Sequence, residues 1–82
     1  VNQLVDPGKA VEAAYELAER VNANAPLAVR ATRQAILSAQ LLDDLSGIEL
    51  TVEKTRLIAH SDDFQEGPRA FIEKRPPQWK GR

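Results

Sequence analysis

Two of the helices that the sequence predicts carry apolar residues on two opposite sides, and this pattern restricts the folds open to the chain. The predicted helices over 26–42 and 46–60 each have a broad apolar face and, opposite to it, a pair of leucines: Leu37 and Leu41, and Leu50 and Leu57. A three-helix miniprotein needs only one buried stripe on each helix. The pattern therefore favours helices that are covered on both sides. Isolated surface leucines are common, which leaves the simpler alternative open.

Helical spacing of apolar residues continues outside these two segments and predicts an all-α chain with an extended C-terminal tail. Pro26 suits the first residue of the second helix, and Pro76-Pro77 directs the chain out into the tail. The three to four predicted helices cover about residues 8–23, 26–42, 46–60 and 62–74.

Helix-start signals locate the expected N-terminal ends. Asp6 is expected to begin the first helix, and Ser46 with Glu49 forms a capping box for the third. Ser61 or Asp62 is expected to cap the fourth.

Pro68 complicates the fourth helix, because a proline inside a helix removes one backbone hydrogen bond at a cost of about 3 kcal/mol. Either the helix kinks there, or its regular part begins at Gly67 and places the proline in the first turn. The second arrangement is favoured.

The composition offers few means of stabilising an independent core. The 82 residues include four aromatic residues and no cysteine, which excludes disulfides and cysteine metal clusters. We expect the chain to pack against another chain or against the rest of a larger one. No segment approaches the roughly 18 apolar residues of a membrane span, and VNQLVDPGK is not a signal peptide, so a soluble, cytoplasmic protein without a membrane partner is expected.

Charge is distributed unevenly along the chain. Residues 74–82 hold four of the eleven basic residues, the single tryptophan and no acidic residue. The formal net charge of −1 argues against nucleic-acid binding over a broad basic surface, but leaves room for one small anionic ligand at the tail. A nucleic-acid binder that used only the tail would show strongly salt-dependent DNA binding.

Motifs that could carry catalysis are absent from the sequence, which has one histidine and no phosphate-binding loop. His60 near Asp62 and Asp63 resembles a base with an orienting carboxylate, but a polar residue at a helix end is usually solvated. The pairs Asp43-Asp44 and Asp62-Asp63 fall where caps are expected, and capping is the favoured interpretation. We therefore predict no metal site and no catalytic residue.

Phe71 and Lys74 are spaced i, i+3, which would place an aromatic ring and an ammonium group on one helical face. Such a pair can stack on a purine and neutralise a phosphate. From spacing alone, however, a core phenylalanine and a solvated lysine at the helix end is the favoured interpretation.

The run SDDFQEGPRAFIEKRPPQWKGR resembles the C-terminal signature of the enoyl-CoA hydratase/isomerase, or crotonase, family: S-x-D-F-x-E-G-x-x-A-F-x-E-K-R-x-P-x-aromatic. The upstream run NAPLAVRATRQAI is similar to the family's N-A-P-x-A-V-R-x-T-K-x-x-I, with Arg33 in place of a common lysine. The similarity spans essentially all 82 residues, which correspond to the last third of the family's usual chain.

The resemblance implies that residues 1–82 are the C-terminal helical region of a crotonase fold, packed over the active site and against neighbouring subunits in a trimer or dimer of trimers. It also implies that Phe71 and Lys74 reach the adenosine-phosphate end of coenzyme A, commonly on the adjacent protomer. The oxyanion hole and the acid/base carboxylates would lie in an N-terminal catalytic core that is absent here, so the chain alone is expected to be inactive.

By the same resemblance, the parent is a lyase of fatty acid metabolism that adds water across the double bond of a 2-enoyl-CoA thioester. The coenzyme A thioester is its substrate, and no covalently bound cofactor is implied. Isomerases, dehalogenases, decarboxylases and hydrolases share this terminus, which leaves the reaction open. The rival hypothesis is a non-catalytic helical module for self-association.

Overall fold

Four α-helices and a C-terminal tail make up the computed structural model, which describes residues 2–82. In chain order the helices are α1 (Ala10–Asn22), α2 (Pro26–Ala39), α3 (Asp44–Ile58) and α4 (Asp62–Ile72). The described residues contain no strand. The predicted all-α class is confirmed, and the helix ends differ from the predicted ones by three residues at most.

The start of α1 differs from the prediction. Its N-cap is Lys9, whose side chain makes no capping hydrogen bond. Asp6 contributes only its carbonyl oxygen, which accepts a hydrogen bond from the N–H of Lys9 at 3.0 Å. Gly8 lies between them with φ 80, a left-handed conformation that a helix cannot contain. The expectation that Asp6 begins the helix is wrong, because a turn separates Asp6 from α1.

The start of α3 also corrects the sequence analysis. Asp43 is the N-cap, and its carboxylate accepts hydrogen bonds from the N–H of Ser46 at 2.9 Å and from the Ser46 hydroxyl at 3.1 Å. The bond from the Ser46 N–H, followed by that from its hydroxyl, lowers the pKa of Asp43. The predicted capping box of Ser46 with Glu49 is wrong, because Ser46 is the residue whose amide is capped. Capping by the Asp43-Asp44 pair is confirmed.

Ser61 caps the start of α4: its hydroxyl accepts a hydrogen bond from the N–H of Phe64 at 3.1 Å. This confirms one of the two expected alternatives. Pro68 lies inside the helix, so the expectation that the regular part begins at Gly67 is wrong. The physical reason is long-range. Asp63 and Glu66, ahead of the proline, accept hydrogen bonds from the tail, and the ring of Trp79 lies against Gly67, 3.6 Å from the position that a Cβ would occupy, so the helical residues before Pro68 are held by tertiary contacts.

The helices form a thin layer rather than a bundle around a core. The principal extents are 44 × 40 × 18 Å, and the last of these is less than two helix diameters. The radius of gyration is 15.9 Å, whereas a compact domain of this length measures about 12 Å. The main helix packing joins α2 to α3. Ala70 is the only buried apolar residue among residues 2–82.

Both sides of this layer expose apolar side chains. Leu37, Leu41 and Leu57 are 49%, 89% and 67% exposed, while Leu50 is half-buried. Ile48 and Val52 are exposed on the face of α3 away from Leu57, whereas on α2 the exposed Ile36 borders the same groove as Leu37, and Leu41 lies beyond the helix end at Ala39. Apolar surface of this extent is characteristic of an element that packs against something else. No helix among residues 2–82 is long and apolar enough to cross a lipid bilayer.

Candidate functional site

Phe71 and Lys74, the residues selected by sequence for ligand contact, lie at the C-terminal end of α4. Phe71 is in the last turn and is 85% exposed, so the interpretation as a core phenylalanine is wrong. Lys74 lies beyond the helix, which ends at Ile72, and has φ 52. The expectation of one shared helical face is therefore also wrong, because the backbone leaves the helical path before Lys74. Both side chains are exposed at the same end of α4.

Two backbone hydrogen bonds close α4 around Lys74. The N–H of Lys74 donates to the carbonyl of Phe71 at 3.2 Å, and the N–H of Arg75 donates to that of Ala70 at 3.1 Å. This is the bonding pattern of a Schellman motif, where the left-handed residue is usually glycine because a Cβ is disfavoured there. Lys74 is the only non-glycine residue with positive φ among residues 2–82. An exposed lysine thus stands where glycine would be less strained.

Two carboxylates fix the residue that follows Lys74. The guanidinium of Arg75 donates from Nη1 and Nη2 to both carboxylate oxygens of Glu66, at 2.5 and 3.0 Å, and from Nε to Glu73 at 2.5 Å. The N–H of Gln78 donates to Glu66 at 2.9 Å. The bonds from Arg75, and next from Gln78, lower the pKa of Glu66 from 4.5 to about 2. The bond to Glu66, and next that to Glu73, raises the pKa of Arg75.

The basic tail is largely neutralised within the chain. Besides Arg75, the side chains of Lys80 and Arg82 lie 3.7 and 3.6 Å from the carboxylate of Asp62. Within residues 2–82, Lys74 has no carboxylate within 4 Å of its ammonium group. Of the four cations that the sequence offers to an anionic ligand, Lys74 alone is left without an internal partner in the described chain.

Asp63 holds the tail against α4. Its side chain is 2% exposed, and its oxygens accept hydrogen bonds from the N–H groups of Lys80 at 2.7 Å and Gly81 at 2.8 Å. The N–H of Asp63 donates to the carbonyl of Arg82 at 3.1 Å. The favoured capping role of Asp63 is therefore wrong, because Ser61 already caps α4 and the carboxylate binds the tail instead.

Trp79 ties the tail to the turn between α1 and α2. Its indole Nε1–H donates to the carbonyl of Ala23 at 2.8 Å, and its ring lies against Gly67. Residues 76–82 have no regular secondary structure, as predicted. However, they run back along α4, so the expectation that Pro76-Pro77 directs the tail outward is wrong. The backbone hydrogen bonds to Glu66 and Asp63 are the reason.

Sequence reasoning missed Asp63, Glu66 and Trp79. Their partners are 9 to 56 residues away along the chain, and neither helical periodicity nor capping statistics reports contacts of that kind. The one available signal was the contrast between an acidic first half of α4 and a tail that contains only basic charges. His60 is exposed, and residues 2–82 contain no cluster of three or more metal-ligating side chains.

Comparison with known proteins identifies the chain's relatives. A family model described as enoyl-CoA hydratase/isomerase matches residues 1–82. The chain belongs to the enoyl-CoA hydratase/isomerase family. This family member is 35% identical over 82 residues to an enoyl-CoA hydratase of Mycobacterium tuberculosis, covering 100% of this chain and 31% of that protein. It is 36% identical over 85 residues to a carnitinyl-CoA dehydratase of Proteus mirabilis, covering 99% of this chain and 33% of that one.

Solved structures of the family contain the same arrangement of helices. An enoyl-CoA hydratase from Mycobacterium tuberculosis H37Rv aligns with a TM-score of 0.92 and 38% identity, covering 100% of this chain and 32% of that chain. An enoyl-CoA hydratase from Bacillus anthracis aligns with a TM-score of 0.89 and 35% identity, covering 95% of this chain and 30% of that chain. The resemblance seen in the sequence is confirmed. The chain spans about a third of the length of the relatives that it matches.

Proposed function

We propose that the 82 residues are the C-terminal helical segment of an enoyl-CoA hydratase, where they cover the active site and take part in subunit assembly. The observation that carries the proposal is the match of the whole chain to hydratases of which it covers about a third. The thin layer of helices with two apolar sides supports it, because such a layer is the shape of a part that packs on a larger body.

In the complete enzyme, the proposed reaction is the addition of water to a 2-enoyl-CoA thioester. An oxyanion hole would polarise the thioester carbonyl, and two carboxylates would move the protons. We assign none of these groups to residues 1–82 and propose that the catalytic core lies in the remaining two thirds of the complete enzyme. The coenzyme A thioester enters as the substrate, without a covalently bound cofactor.

Phe71 and Lys74 are proposed to contact the adenosine-phosphate end of coenzyme A. The chemistry supports this assignment. An aromatic ring that is 85% exposed offers a face for adenine, and an ammonium group without a carboxylate within 4 Å in the described chain is available to a phosphate. The contact lies far from the bond being made, so it would affect substrate binding more than turnover.

Assembly into a trimer or a dimer of trimers is the second role proposed for the segment. Leu57 on α3 and Leu41 in the turn between α2 and α3 expose 67% and 89% of their surface. Burying apolar surface of this kind between subunits is the usual driving force of homo-oligomer formation.

Hydration of crotonyl-CoA tests the proposal. We expect no turnover by the 82-residue chain and measurable turnover by the longer polypeptide that includes it. Isomerisation of a 3-enoyl-CoA, measured in parallel, distinguishes a hydratase from an isomerase of the same family. Turnover by the 82 residues alone would overturn the assignment of the chemistry to another part of the enzyme.

A non-catalytic module for self-association is the second candidate function, favoured by the apolar side chains exposed on both sides of the layer. The two candidates predict different polypeptides in the source organism. Mass spectrometry of the native protein would find an assembled 82-residue product for the module and a chain about three times as long for the enzyme.

A further inference from the structure

A strained residue at the end of α4 needs a physical explanation. Lys74 has φ 52, a left-handed conformation that side chains with a Cβ disfavour, and glycine is the usual residue at this position of a Schellman motif. A conformation of this kind persists where the surrounding structure enforces it and where the side chain is of use. The ammonium group of Lys74 is exposed and has no carboxylate within 4 Å in the described chain, so packing does not explain the lysine.

The residues on either side of Lys74 are joined to each other across it. Glu73 accepts a hydrogen bond from Nε of Arg75 at 2.5 Å, which links positions 73 and 75. The same guanidinium is held by both oxygens of Glu66, two helical turns earlier, at 2.5 and 3.0 Å. A bidentate arginine–carboxylate pair fixes direction as well as distance. The backbone at Lys74 therefore has little freedom to return to a helical or extended conformation.

We propose that Glu66 and Arg75 are positioning residues that hold Lys74 in its left-handed conformation, so that its ammonium group and the exposed ring of Phe71 meet the same anionic nucleotide end of the substrate. The inference rests on the proposed function of Phe71 and Lys74. It adds that an ion pair which does not touch the substrate determines how tightly the substrate binds. It also explains why acidic residues neutralise Arg75 and leave Lys74 unpaired in the described chain.

Kinetics of the complete enzyme provide the first test. Lys74→Ala is expected to raise KM for crotonyl-CoA about fivefold, and Glu66→Gln about threefold, with kcat changed less than twofold. In the double variant KM should equal that of Lys74→Ala alone, because Glu66 acts through Lys74. Lys80→Ala and Glu53→Gln are matched controls for lost charge. A merely structural role of Glu66 would instead multiply the two effects in the double variant, and that result would overturn the inference.

The conformation of Lys74 provides a readout independent of activity. Its Cα and Cβ chemical shifts distinguish a left-handed residue from an extended one, and in the complete enzyme they should lose the left-handed signature in Glu66→Gln and Arg75→Lys. If Glu66→Gln does not fold, Glu73→Gln is expected to give a smaller shift in the same direction. Unchanged Lys74 shifts in all the variants that fold would overturn the inference.

The outcomes separate this inference from the proposed function. If Lys74→Ala leaves KM unchanged, the proposed substrate contact is wrong and the positioning role falls with it. If Lys74→Ala raises KM while Glu66→Gln leaves both KM and the Lys74 shifts unchanged, only the positioning role is wrong.

Discussion

The carboxylate of Asp63 binds the backbone of Gly81: Oδ2 accepts its N–H at 2.8 Å, while Oδ1 accepts the N–H of Lys80 at 2.7 Å. Asp63 is 2% exposed and lies in the first turn of α4, so a buried acid near the start of the helix fixes the last residues of the chain. The basic tail is thus held by acidic residues of its own chain.

Replacing Asp63 is expected to release the tail. Asp63→Ala removes two charge-assisted hydrogen bonds, so the free energy of unfolding should fall by about 2–4 kcal/mol. Urea unfolding followed by the fluorescence of Trp79 measures it. Asp62→Ala is the matched control: that carboxylate is exposed and pairs only at 3.6 and 3.7 Å, so a change below about 0.5 kcal/mol is expected. Equal losses in both variants would contradict the assigned role of Asp63.

The indole of Trp79 is expected to contribute through its N–H as well as its ring. Trp79→Phe keeps an aromatic ring against Gly67 but removes the 2.8 Å bond to the carbonyl of Ala23, at an expected cost of about 1 kcal/mol. Trp79→Ala removes both contacts and should cost more. Circular dichroism during urea unfolding measures the free energy of unfolding of both variants. An unchanged value in Trp79→Phe would show that the hydrogen bond does not stabilise the fold.

Glycine at position 74 is expected to stabilise the chain while removing a ligand contact. Lys74 has φ 52, so Lys74→Gly relieves a strained conformation and should raise the free energy of unfolding by about 1 kcal/mol. Lys80→Gly is the control, because Lys80 does not have positive φ and glycine there should lower stability slightly. Thermal unfolding of both variants measures the change in stability. A loss of stability in Lys74→Gly would contradict the conclusion that Lys74 is strained.

The pairing of Glu66 with Arg75 is expected to persist in mild acid. Because the pKa of Glu66 is lowered from 4.5 to about 2, its contribution to stability is complete above pH 4.5 and is lost as the pH falls toward 2. Carboxyl carbon shifts of Glu66 measured by NMR should therefore titrate near pH 2. In Arg75→Gln the midpoint should move up toward 4.5, whereas the distant Lys9→Gln should leave it unchanged. A wild-type midpoint near 4.5 would show that the pair does not form in solution.

Self-association of the 82-residue chain is expected because apolar side chains are exposed on both sides of the layer. Sedimentation velocity at rising concentration should show assemblies, and Leu41→Asp with Leu57→Asp should weaken them. Leu4→Asp is the control, since Leu4 is 89% exposed, as is Leu41, but precedes α1, whereas Leu41 lies in the turn between α2 and α3. A single monomeric species at high concentration would contradict the prediction.

The local part of the fold was predictable because local interactions determine it. Apolar spacing, Pro26 at the start of α2 and Ser61 before α4 gave four helices with ends within three residues of the observed ones. The helix start predicted at Asp6 is wrong because a turn separates Asp6 from α1. The start predicted at Ser46 is wrong because Asp43, three residues earlier, is the residue that caps α3. The two apolar sides of α3 were also visible in the sequence, since side-chain direction follows from helical geometry. The second side predicted for α2 is wrong in part, because the helix ends at Ala39, before Leu41.

The end of α4 was decided by tertiary structure. Sequence spacing paired Phe71 with Lys74 on a helix, but the helix ends at Ile72, and the bonds of Arg75 to Glu66 and Glu73 lie around the turn at Lys74. Hydrogen bonds from the tail to Asp63 and Glu66 likewise join residues 12 to 18 positions apart. The sequence alone determined the helices, because each turn is stabilised by near neighbours. Only the folded chain determined which cation of residues 74–82 has no carboxylate within 4 Å in the described chain, because that depends on which charges long-range folding brings together.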